Sequence, residues 1–331
     1  MEQGLLRRDA LMDMDGFIEK QLHFLKPVET CWQPSDVLPN MAAEDWDETV
    51  KQLRLRASAL SDELLVILVG NLVTEEALPS YQTWLNRPAG FKDETGVSPA
   101  PWAVWTRSWT AEENRHGEVL NKYLYLSGRV DMRSVELTTQ YLIRNGFDLK
   151  SGNDPYQSIV YVAFQERATK ISHANTGKLA ERDGDQTLGK ICALIASDEA
   201  RHEEAYKRFF GCVVEADPSA AVIAFARMMR QKIAMPARLM SDGTDRNLFN
   251  QFAVVAQKSG VYTTRDYAAI IKHLVEFWNI AGLLGLSSEA TQSQEFLCGL
   301  EKRYLDKADR IEEAVFNLPR EPFRWIFDRC A

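Results

Sequence analysis

Apolar residues recur along most of the chain with the 3.6-residue period of an α-helix, and alternating β-branched runs are scarce. The pattern begins after a proline-rich segment at 29–40, ETCWQPSDVLPN, and turn sequences such as NGFDLKSGNDP and RDGD interrupt it. The sequence therefore predicts an all-α protein. To within a few residues at each end, the predicted helices span 61–86, 101–127, 131–144, 155–182, 186–213, 217–234, 245–258, 265–284 and 289–315.

Neither a low-complexity segment nor a linker divides these helices, so we expect a single domain over residues 1–331. Its N-terminal segment, at about 1–45, reads as extended and loop-rich. The long helices at about 61–213 predict a core bundle, and additional C-terminal helices follow at about 217–331.

Four of the predicted helices carry a glutamate within the apolar stripe that should face the core. The clearest case is the helix at 186–213, where Glu199 and His202 follow Cys192 and Ile195 at helical steps. A lone ionised carboxylate in an apolar interior costs several kcal/mol, so carboxylates that converge there require cations. The other three glutamates are Glu75, Glu113 and Glu166.

A carboxylate and an imidazole occur three positions apart in EENRHG at 112–117 and again in DEARHE at 198–203. Residues three apart share a helix face, so Glu113 points with His116, and Glu199 with His202. Glu-x-x-His on two helices and one further Glu on each of two others is the ligand set of ferritin-like di-iron or di-manganese bundles. We therefore predict a ferritin-like di-iron carboxylate helix bundle with additional helices.

The charges of this ligand set balance two divalent ions, because four carboxylates carry −4 and two neutral imidazoles carry none. Oxygen-rich ligation with one nitrogen per ion suits iron or manganese better than zinc. The residues alone therefore predict two divalent ions per chain, either iron or manganese. The alternative is that both Glu-x-x-His pairs are ion-paired surfaces of a solvated bundle, since such pairs are common on exposed helix faces.

The composition narrows the class of protein further. A formal net charge of −8 and the absence of a long basic run argue against a nucleic-acid binder. Five scattered cysteines without a C-x-x-C pair fit free thiols in a reducing compartment. The longest apolar run, LLVILVGNLV at 64–73, is about half the roughly 20 residues that span a bilayer, so we expect no membrane insertion. The N-terminal sequence MEQGLLRRDALMDMDGF lacks the apolar core of a secretory signal.

Several stretches around and beyond the ligands resemble the soluble acyl-acyl-carrier-protein desaturases of plant plastids, and the likeness covers nearly the whole chain. The stretches are TEEALPSYQTWLN, DETGVSPAPWAVWTRSWTAEENRHGEVLNKYLYLSGRVDM, FQERATKISHANT, DEARHE and FRWIFDR. The resemblance selects Glu75 over its neighbour Glu76, which helical spacing does not decide. It implies that carboxylates of the Glu113 or Glu166 type bridge the irons. It assigns Glu75, Glu113 and His116 to one iron, and Glu166, Glu199 and His202 to the other.

The activity that this resemblance implies is the O2-dependent insertion of a cis double bond, usually at carbon 9 of stearoyl chains held on acyl carrier protein. Ferredoxin would supply the two electrons, and the protein would be a homodimer. It would lie in the plastid stroma, after removal of any transit peptide, or alternatively in a bacterial cytoplasm. Palmitoyl carrier protein is the alternative substrate, and another regiospecificity is an alternative outcome. Another di-iron oxidase or monooxygenase and a non-enzymatic iron-binding bundle are the alternative functions.

Three further residues are candidates for catalysis. Thr169, one turn past Glu166, is placed to aim its hydroxyl at the iron site and deliver a proton, or else bonds the carbonyl four residues back. Asp198 and Trp32 resemble a relay in which a carboxylate orients a ligand histidine and an aromatic ring near the surface passes electrons. The alternative for Trp32 is a packed ring in a proline-rich loop. His173 is expected in the core or beside the ligands, and His23 and His273 are unassigned.

Two more predictions concern the substrate. Trp84, Leu149 and Ser158 stand where the plant enzymes often carry Met, Pro and Gly. Trp84 either closes the far end of an acyl tunnel, which would favour a chain shorter than stearate, or packs between helices away from it. Since acyl carrier protein is acidic, docking should use basic residues. The candidates are Lys26, Lys51, Arg54 and Arg56.

Overall fold

The structure is a computed structural model that describes residues 14–88, 90–149 and 152–331. The prediction about the N-terminal sequence at 1–17 falls almost entirely outside these residues. The described helices are α1 Asp15–Gln21, α2 Trp46–Ala57, α3 Asp62–Glu76, α4 Leu78–Leu85, α5 Pro101–Ser127, α6 Met132–Asn145, α7 Pro155–Arg182, α8 Gln186–Ala216, α9 Pro218–Arg230, α10 Leu248–Lys258, α11 Thr264–Phe277, α12 Ser288–Cys298 and α13 Leu300–Phe316. A two-residue antiparallel pair, β1 Pro322–Phe323 and β2 Arg329–Cys330, closes the chain. The all-α prediction is confirmed.

Helices α3, α5, α7 and α8 form a four-helix bundle, in which α3 contacts α5 and α7, and α8 contacts the same two helices from the other side. Local sequence fixes where these helices begin and end. Asp154 caps α7 by accepting from the backbone N–H of Tyr156, and Asp185 caps α8 by accepting from that of Leu188. Gly128 ends α5 with a φ of 65°, a conformation that glycine adopts without strain.

Two hydrophobic clusters fill the bundle, and the predicted ligands lie between them. Along α5, the first cluster contains Trp105 and Trp109, and the second contains Leu120 and Leu124. Glu113 and His116 stand between these two sets in the chain, and Glu199 and His202 separate the same clusters along α8. The ligand layer is therefore enclosed by apolar packing above and below.

The later helices cover the bundle. Helix α9 packs on α7 and α8, α10 packs on α3, and α11 packs on α7, while α12 and α13 form a further layer on α9 and α11. One described segment, Asp62–Leu85, has the length and mean hydropathy of 1.3 that a membrane span requires, but 78% of its apolar window is buried within the protein. It supplies α3 and α4, the apolar centre of the bundle.

The structure corrects several predicted elements. The helix predicted at 61–86 breaks at Ala77 into α3 and α4, because Pro79 cannot donate to the helical ladder. Helix α2 was not predicted, although Val50, Leu53 and Ala57 form a narrow buried stripe on it. The helix predicted at 289–315 breaks at Gly299. In the N-terminal segment, α1 and three short 3₁₀ turns replace much of the extended chain that was expected.

Candidate metal centre

The six predicted ligands converge at the centre of the bundle as two overlapping groups. In each group, one ligand atom from every residue lies within 4.8 Å of the others. Glu113 and Glu199 belong to both groups, whereas Glu166, which the resemblance made a candidate bridge, belongs to only one. The first group is Glu75, Glu113, His116 and Glu199, and the second is Glu113, Glu166, Glu199 and His202.

The candidate ligand atoms face one another without well-formed hydrogen bonds. Oε1 of Glu113, Oε2 of Glu166 and Oε1 of Glu199 are buried without a hydrogen bond of normal geometry, and so is Nδ1 of both His116 and His202, although Nδ1 of His202 lies only 2.6 Å from Oε1 of Glu113. A buried carboxylate oxygen or imidazole nitrogen without a partner costs free energy, and several that converge are rare in a stable protein. A pair of divalent cations satisfies all of these atoms at once, so the residues present fit the predicted metal site.

The electrostatics of the site also call for positive charge. Burial raises the pKa of Glu75, and it raises the pKa of Glu166 well above its ordinary range with help from Glu199 and Glu113. Burial disfavours the charged form of His116 and His202, yet the carboxylates around them, Glu113 above all, hold the pKa of both well above the usual value. In the absence of metal, protons must compensate the clustered negative charge, and cations replace them.

Each candidate ligand histidine contacts an acidic residue from the opposite Glu-x-x-His helix. Nε2 of His116 lies 3.5 Å from Oδ2 of Asp198, and Nε2 of His202 lies 3.1 Å from Oε2 of Glu112. A histidine that ligates through Nδ1 is commonly oriented by such a partner on its other nitrogen. The acid that precedes each Glu-x-x-His motif thus crosses the bundle to hold the histidine of the other motif.

Two arginines neutralise this pair of acids, and sequence reasoning missed them together with Glu112. Arg115 donates to Oδ2 of Asp198 at 3.0 Å, and Arg201 donates to Oε2 of Glu112 at 2.5 Å and to Oδ1 of Asp198 at 2.6 Å. Burial raises the pKa of Glu112, but His202 and Arg201 outweigh it and hold this pKa at about 2. The missed signal is that both motifs read acid-Glu-x-Arg-His, a duplication longer than Glu-x-x-His.

Asp198 and Trp32, predicted as a relay, do lie together beside His116. The indole Nε1 of Trp32 donates to Oδ2 of Asp198 at 2.8 Å. The rings of Trp32 and His116 are nearly parallel, with centroids 6.1 Å apart and an interplanar angle of 7°. Arg115 stacks on the ring of Trp32, 4.7 Å from its centroid, and donates to its carbonyl oxygen. The half-buried indole thus connects the protein surface with a candidate ligand.

Thr169 lines the space beside the ligands, but its hydroxyl donates to the carbonyl oxygens of Gln165 and Glu166, at 3.0 and 3.1 Å. Thr169 therefore lies beside the candidate ligands, as expected for a proton donor. It also makes the local bond to the backbone that was expected as the alternative. Glu76 faces away from the site and accepts from Asn121 and Thr139, in agreement with the choice of Glu75.

The remaining histidines differ in their surroundings. His173 is buried beside Glu75, as expected for a residue near the ligands. His23 contacts the carbonyl oxygen of Lys20 at the surface, and His273 contacts Lys207 and Glu203 on the outside of the bundle.

Two of the cavities in the described structure share lining residues beside the candidate ligands. The larger, of about 330 Å³, runs from the exposed side chains of Lys232 and Ile311 to Glu75 and Thr169. The smaller, of about 50 Å³, shares Thr74, Glu75 and Thr169 with the first and ends at Trp84. The Trp84 ring lines the smaller cavity together with the candidate ligands, and it packs edge-on against Phe147 and Tyr161. Leu149 packs against the same cluster, and Ser158 is buried beside it.

The four residues of the predicted docking patch do not line the larger cavity. Two of them face buried carboxylates, since Nζ of Lys26 is 3.6 Å from Asp198 and Nε of Arg56 is 3.9 Å from Asp185. Lys51 pairs with exposed Asp47, and Arg54 donates to the carbonyl oxygen of Leu126. The charge that this patch offers to a partner is therefore carried mainly by Lys51 and Arg54.

Comparisons with known proteins agree with this geometry. The chain is 55% identical over 322 residues to the stearoyl-[acyl-carrier-protein] 9-desaturase of Spinacia oleracea, covering 97% of this chain and 81% of the relative. It is 56% identical over 312 residues to stearoyl-[acyl-carrier-protein] 9-desaturase 1 of Arabidopsis thaliana, covering 93% and 78%. Both relatives are described as chloroplastic.

A solved structure and a family profile complete the comparison. The crystal structure of DesA2 from Mycobacterium tuberculosis, described as an acyl-ACP desaturase, superposes with a TM-score of 0.57 over 86% of this chain and 99% of that one. At 18% identity it shows the fold alone. The profile of the fatty acid desaturase family matches residues 7–327. This chain belongs to the fatty acid desaturase family.

Proposed function

We propose that this protein is an acyl-[acyl-carrier-protein] desaturase that introduces a cis double bond at carbon 9 of stearoyl-carrier protein in fatty acid biosynthesis. The observation that carries the proposal is the meeting of an apolar cavity with six convergent ligands, several of whose buried atoms lack partners. The named relatives support the reaction type and the substrate. Two Fe²⁺ ions per chain would be held by the two overlapping ligand groups, which share Glu113 and Glu199.

The reaction removes two hydrogens from adjacent, unactivated methylenes, and O2 with two electrons and two protons leaves as two waters. No acid or base in the protein can take a hydrogen from such a C–H bond, so an iron pair, when bound, supplies the redox chemistry. The protein positions the substrate. Cavity walls hold the acyl chain so that its middle passes Glu75 and Thr169, and the surrounding apolar layers exclude bulk water. The Thr169 hydroxyl stands at the junction of both cavities, where it can deliver a proton.

The substrate is presented by a carrier protein. The larger cavity opens beside Lys232, so an acyl chain attached to acyl carrier protein enters from that side. Electrons reach the site from reduced ferredoxin, and the Trp32–Asp198–His116 contacts form the candidate route. The resemblance supports a homodimer, which light scattering tests directly. The chloroplastic relatives support a plastid stroma for a plant or algal source, and a bacterial cytoplasm is the alternative.

One assay separates the proposed activity from the other di-iron chemistries and from an iron-binding bundle. Purified, iron-loaded protein is supplied with stearoyl-carrier protein, O2, ferredoxin and a reductase, and the released acids are analysed by mass spectrometry with localisation of the double bond. We expect the 9-monounsaturated acid. A hydroxylated product would indicate a monooxygenase, and bound iron without any product from stearoyl or palmitoyl carrier protein would contradict the proposal.

A further inference from the structure

His173 lies in the wall between the larger cavity and Glu75, and it is 1% exposed. Its Nε2 atom is 2.8 Å from Oε1 of Glu75. For this contact to be a hydrogen bond, Nε2 carries the hydrogen and donates it to the carboxylate. Nδ1 is buried and has no hydrogen-bond partner within the described part of the chain. The bond to Glu75 is therefore the one polar contact that the described structure gives this ring.

The other ligands that belong to a single group each have a buried partner as well. His116 is held by Asp198, and His202 by Glu112. Glu166 accepts from the indole Nε1 of Trp109 at 3.1 Å. Of the four candidate ligands that belong to a single group, three are thus oriented by a hydrogen bond from outside the ligand set. His173 gives the fourth, Glu75, a bond of the same kind.

Glu75 is the ligand that most needs an external restraint. It is the penultimate residue of α3, and the helical ladder breaks at Ala77, immediately beyond Glu76. Its second oxygen, Oε2, lies 3.9 Å from Nδ1 of His116, on the side where the ligands converge. His173 comes from α7, two turns after Glu166, so its bond to Oε1 ties the end of α3 to the helix that supplies the opposite ligand.

We propose that His173 is a positioning residue of the metal centre: by donating to Oε1 of Glu75, it directs Oε2 toward the ion shared with His116. This inference rests on the proposed metal site. Groups that orient metal ligands change metal affinity by about 10-fold to 100-fold when they are removed. Removing the His173 donor should weaken the binding of only one of the two ions. The other side of the centre retains the bond from Trp109 to Glu166 and the contact between Glu112 and His202.

A pair of amide substitutions tests the donor. Glutamine places its N–H close to the position of imidazole Nε2, whereas asparagine is shorter by one methylene and does not reach Glu75. Mn²⁺ is titrated into metal-free full-length protein, and the free ion is followed by its electron paramagnetic resonance signal. We expect two ions in the wild type, a Kd for one ion raised by about 10-fold to 100-fold in His173→Asn, and near wild-type binding of both ions in His173→Gln. His173→Phe keeps a ring without the donor and should match His173→Asn.

The outcomes separate this inference from the metal site itself. A wild-type chain that binds neither Mn²⁺ nor Fe²⁺ would overturn both. Two ions bound in the wild type and bound equally tightly by His173→Asn and His173→Phe would overturn the positioning role alone. A merely structural role for His173 would lower the Tm of the metal-free protein in all three variants and give His173→Gln no advantage in metal binding. His23→Gln, a substitution at the surface, serves as the control.

Discussion

The charge of each residue at the candidate metal centre is balanced against the charges of several others, because the cluster places four buried carboxylates around two imidazoles. Removing one member leaves the remaining charges mispaired in a low-dielectric interior. We therefore expect Glu199→Ala or His202→Ala to abolish turnover while most helicity is retained, since apolar clusters on both sides of the site support the fold.

Iron analysis, circular dichroism and the desaturation assay measure this prediction together. Wild-type protein should hold two irons per chain, and Glu118→Ala, a change at an exposed position on α5, should behave like it. A single zinc in purified wild type, or no iron after reconstitution, would contradict the predicted centre.

We expect the preferred length of the acyl chain to depend on Trp84. Its ring lines the smaller cavity of about 50 Å³, which under the proposed function receives the end of the chain beyond the candidate ligands. Each buried methylene contributes about 0.8 kcal/mol, so a ring that excludes two of them changes the preference by roughly tenfold or somewhat more. We expect Trp84→Met to shift the ratio of kcat/KM from palmitoyl toward stearoyl carrier protein. An unchanged ratio would show that Trp84 is packing only.

The thiols should differ in reactivity according to their burial. Burial raises the pKa of Cys192 to about 12, so at pH 8 this side chain is a neutral thiol that solvent does not reach. Cys298 and Cys330 are exposed and free. We expect iodoacetamide at pH 8 to alkylate these two in the native protein and to modify Cys192 only after denaturation, as read by peptide mass spectrometry. Rapid native labelling of Cys192 would contradict the packing of α7 on α8.

At this scale helical spacing indicated candidate ligands, but it did not indicate their hydrogen-bonding partners. Glu113 and His116 are found because helical spacing places them on one face, and that spacing is repeated at Glu199 and His202. The bond from Trp32 to Asp198 joins residues 166 positions apart, and no local period reports such a distance. Family resemblance suggested that contact, whereas the role of Glu112 emerged only from the packing of α5 against α8.

Among the elements, α3 and α5 approach each other closely beside the candidate ligands. A Cβ atom added to Gly117 would lie 3.0 Å from Cγ of Glu76 and 3.3 Å from its backbone nitrogen. Gly117→Ala should therefore push the end of α3 away, destabilise the protein by about 1–3 kcal/mol and lower its iron content, because Glu75 moves with the backbone.

Gly211→Ala on α8 is a matched control. No atom lies within 4 Å of a Cβ atom added there, so the substitution should be neutral or stabilise the helix by up to about 1 kcal/mol. Thermal unfolding and metal analysis of both variants check the prediction. Equal behaviour of the two variants would mean that the helices tolerate separation at Gly117.

The helix boundaries also show what periodicity misses. The apolar run through 64–73 continues smoothly into 78–85, so the pattern predicts one helix where Pro79 forces two. Helix α2 escaped prediction because three buried residues among many charged ones form too narrow a stripe to stand out.

At the scale of the whole molecule, an acidic carrier protein must dock on a chain whose own formal net charge is −8. Docking should therefore depend on local basic residues. Lys51 and Arg54 are the members of the predicted patch that do not face buried carboxylates. We expect Lys51→Glu with Arg54→Glu to raise KM for the acyl carrier substrate at low salt and to blunt the dependence of KM on ionic strength. Lys20→Glu with Lys92→Glu reverses two exposed lysines outside the patch and should leave KM unchanged.

A single reversal at the cavity mouth tests the competing site. If Lys232→Glu raises KM while the patch variant leaves it unchanged, the carrier docks at the mouth and the patch prediction is wrong. If only the patch variant acts, the carrier contacts the protein at a distance from the opening and feeds its acyl chain inward.

The crossed contacts between the two motifs have a consequence for how this centre can be divided or altered. Asp198 lies beside Glu199 in the chain yet holds His116, and Glu112 lies beside Glu113 yet holds His202. Neither half of the internal duplication contains a complete coordination unit, so a fragment ending before α7 would lack the acid that orients its own histidine. In the proposed centre the two ions would therefore be linked through the protein, and a substitution in either half would affect the opposite ion.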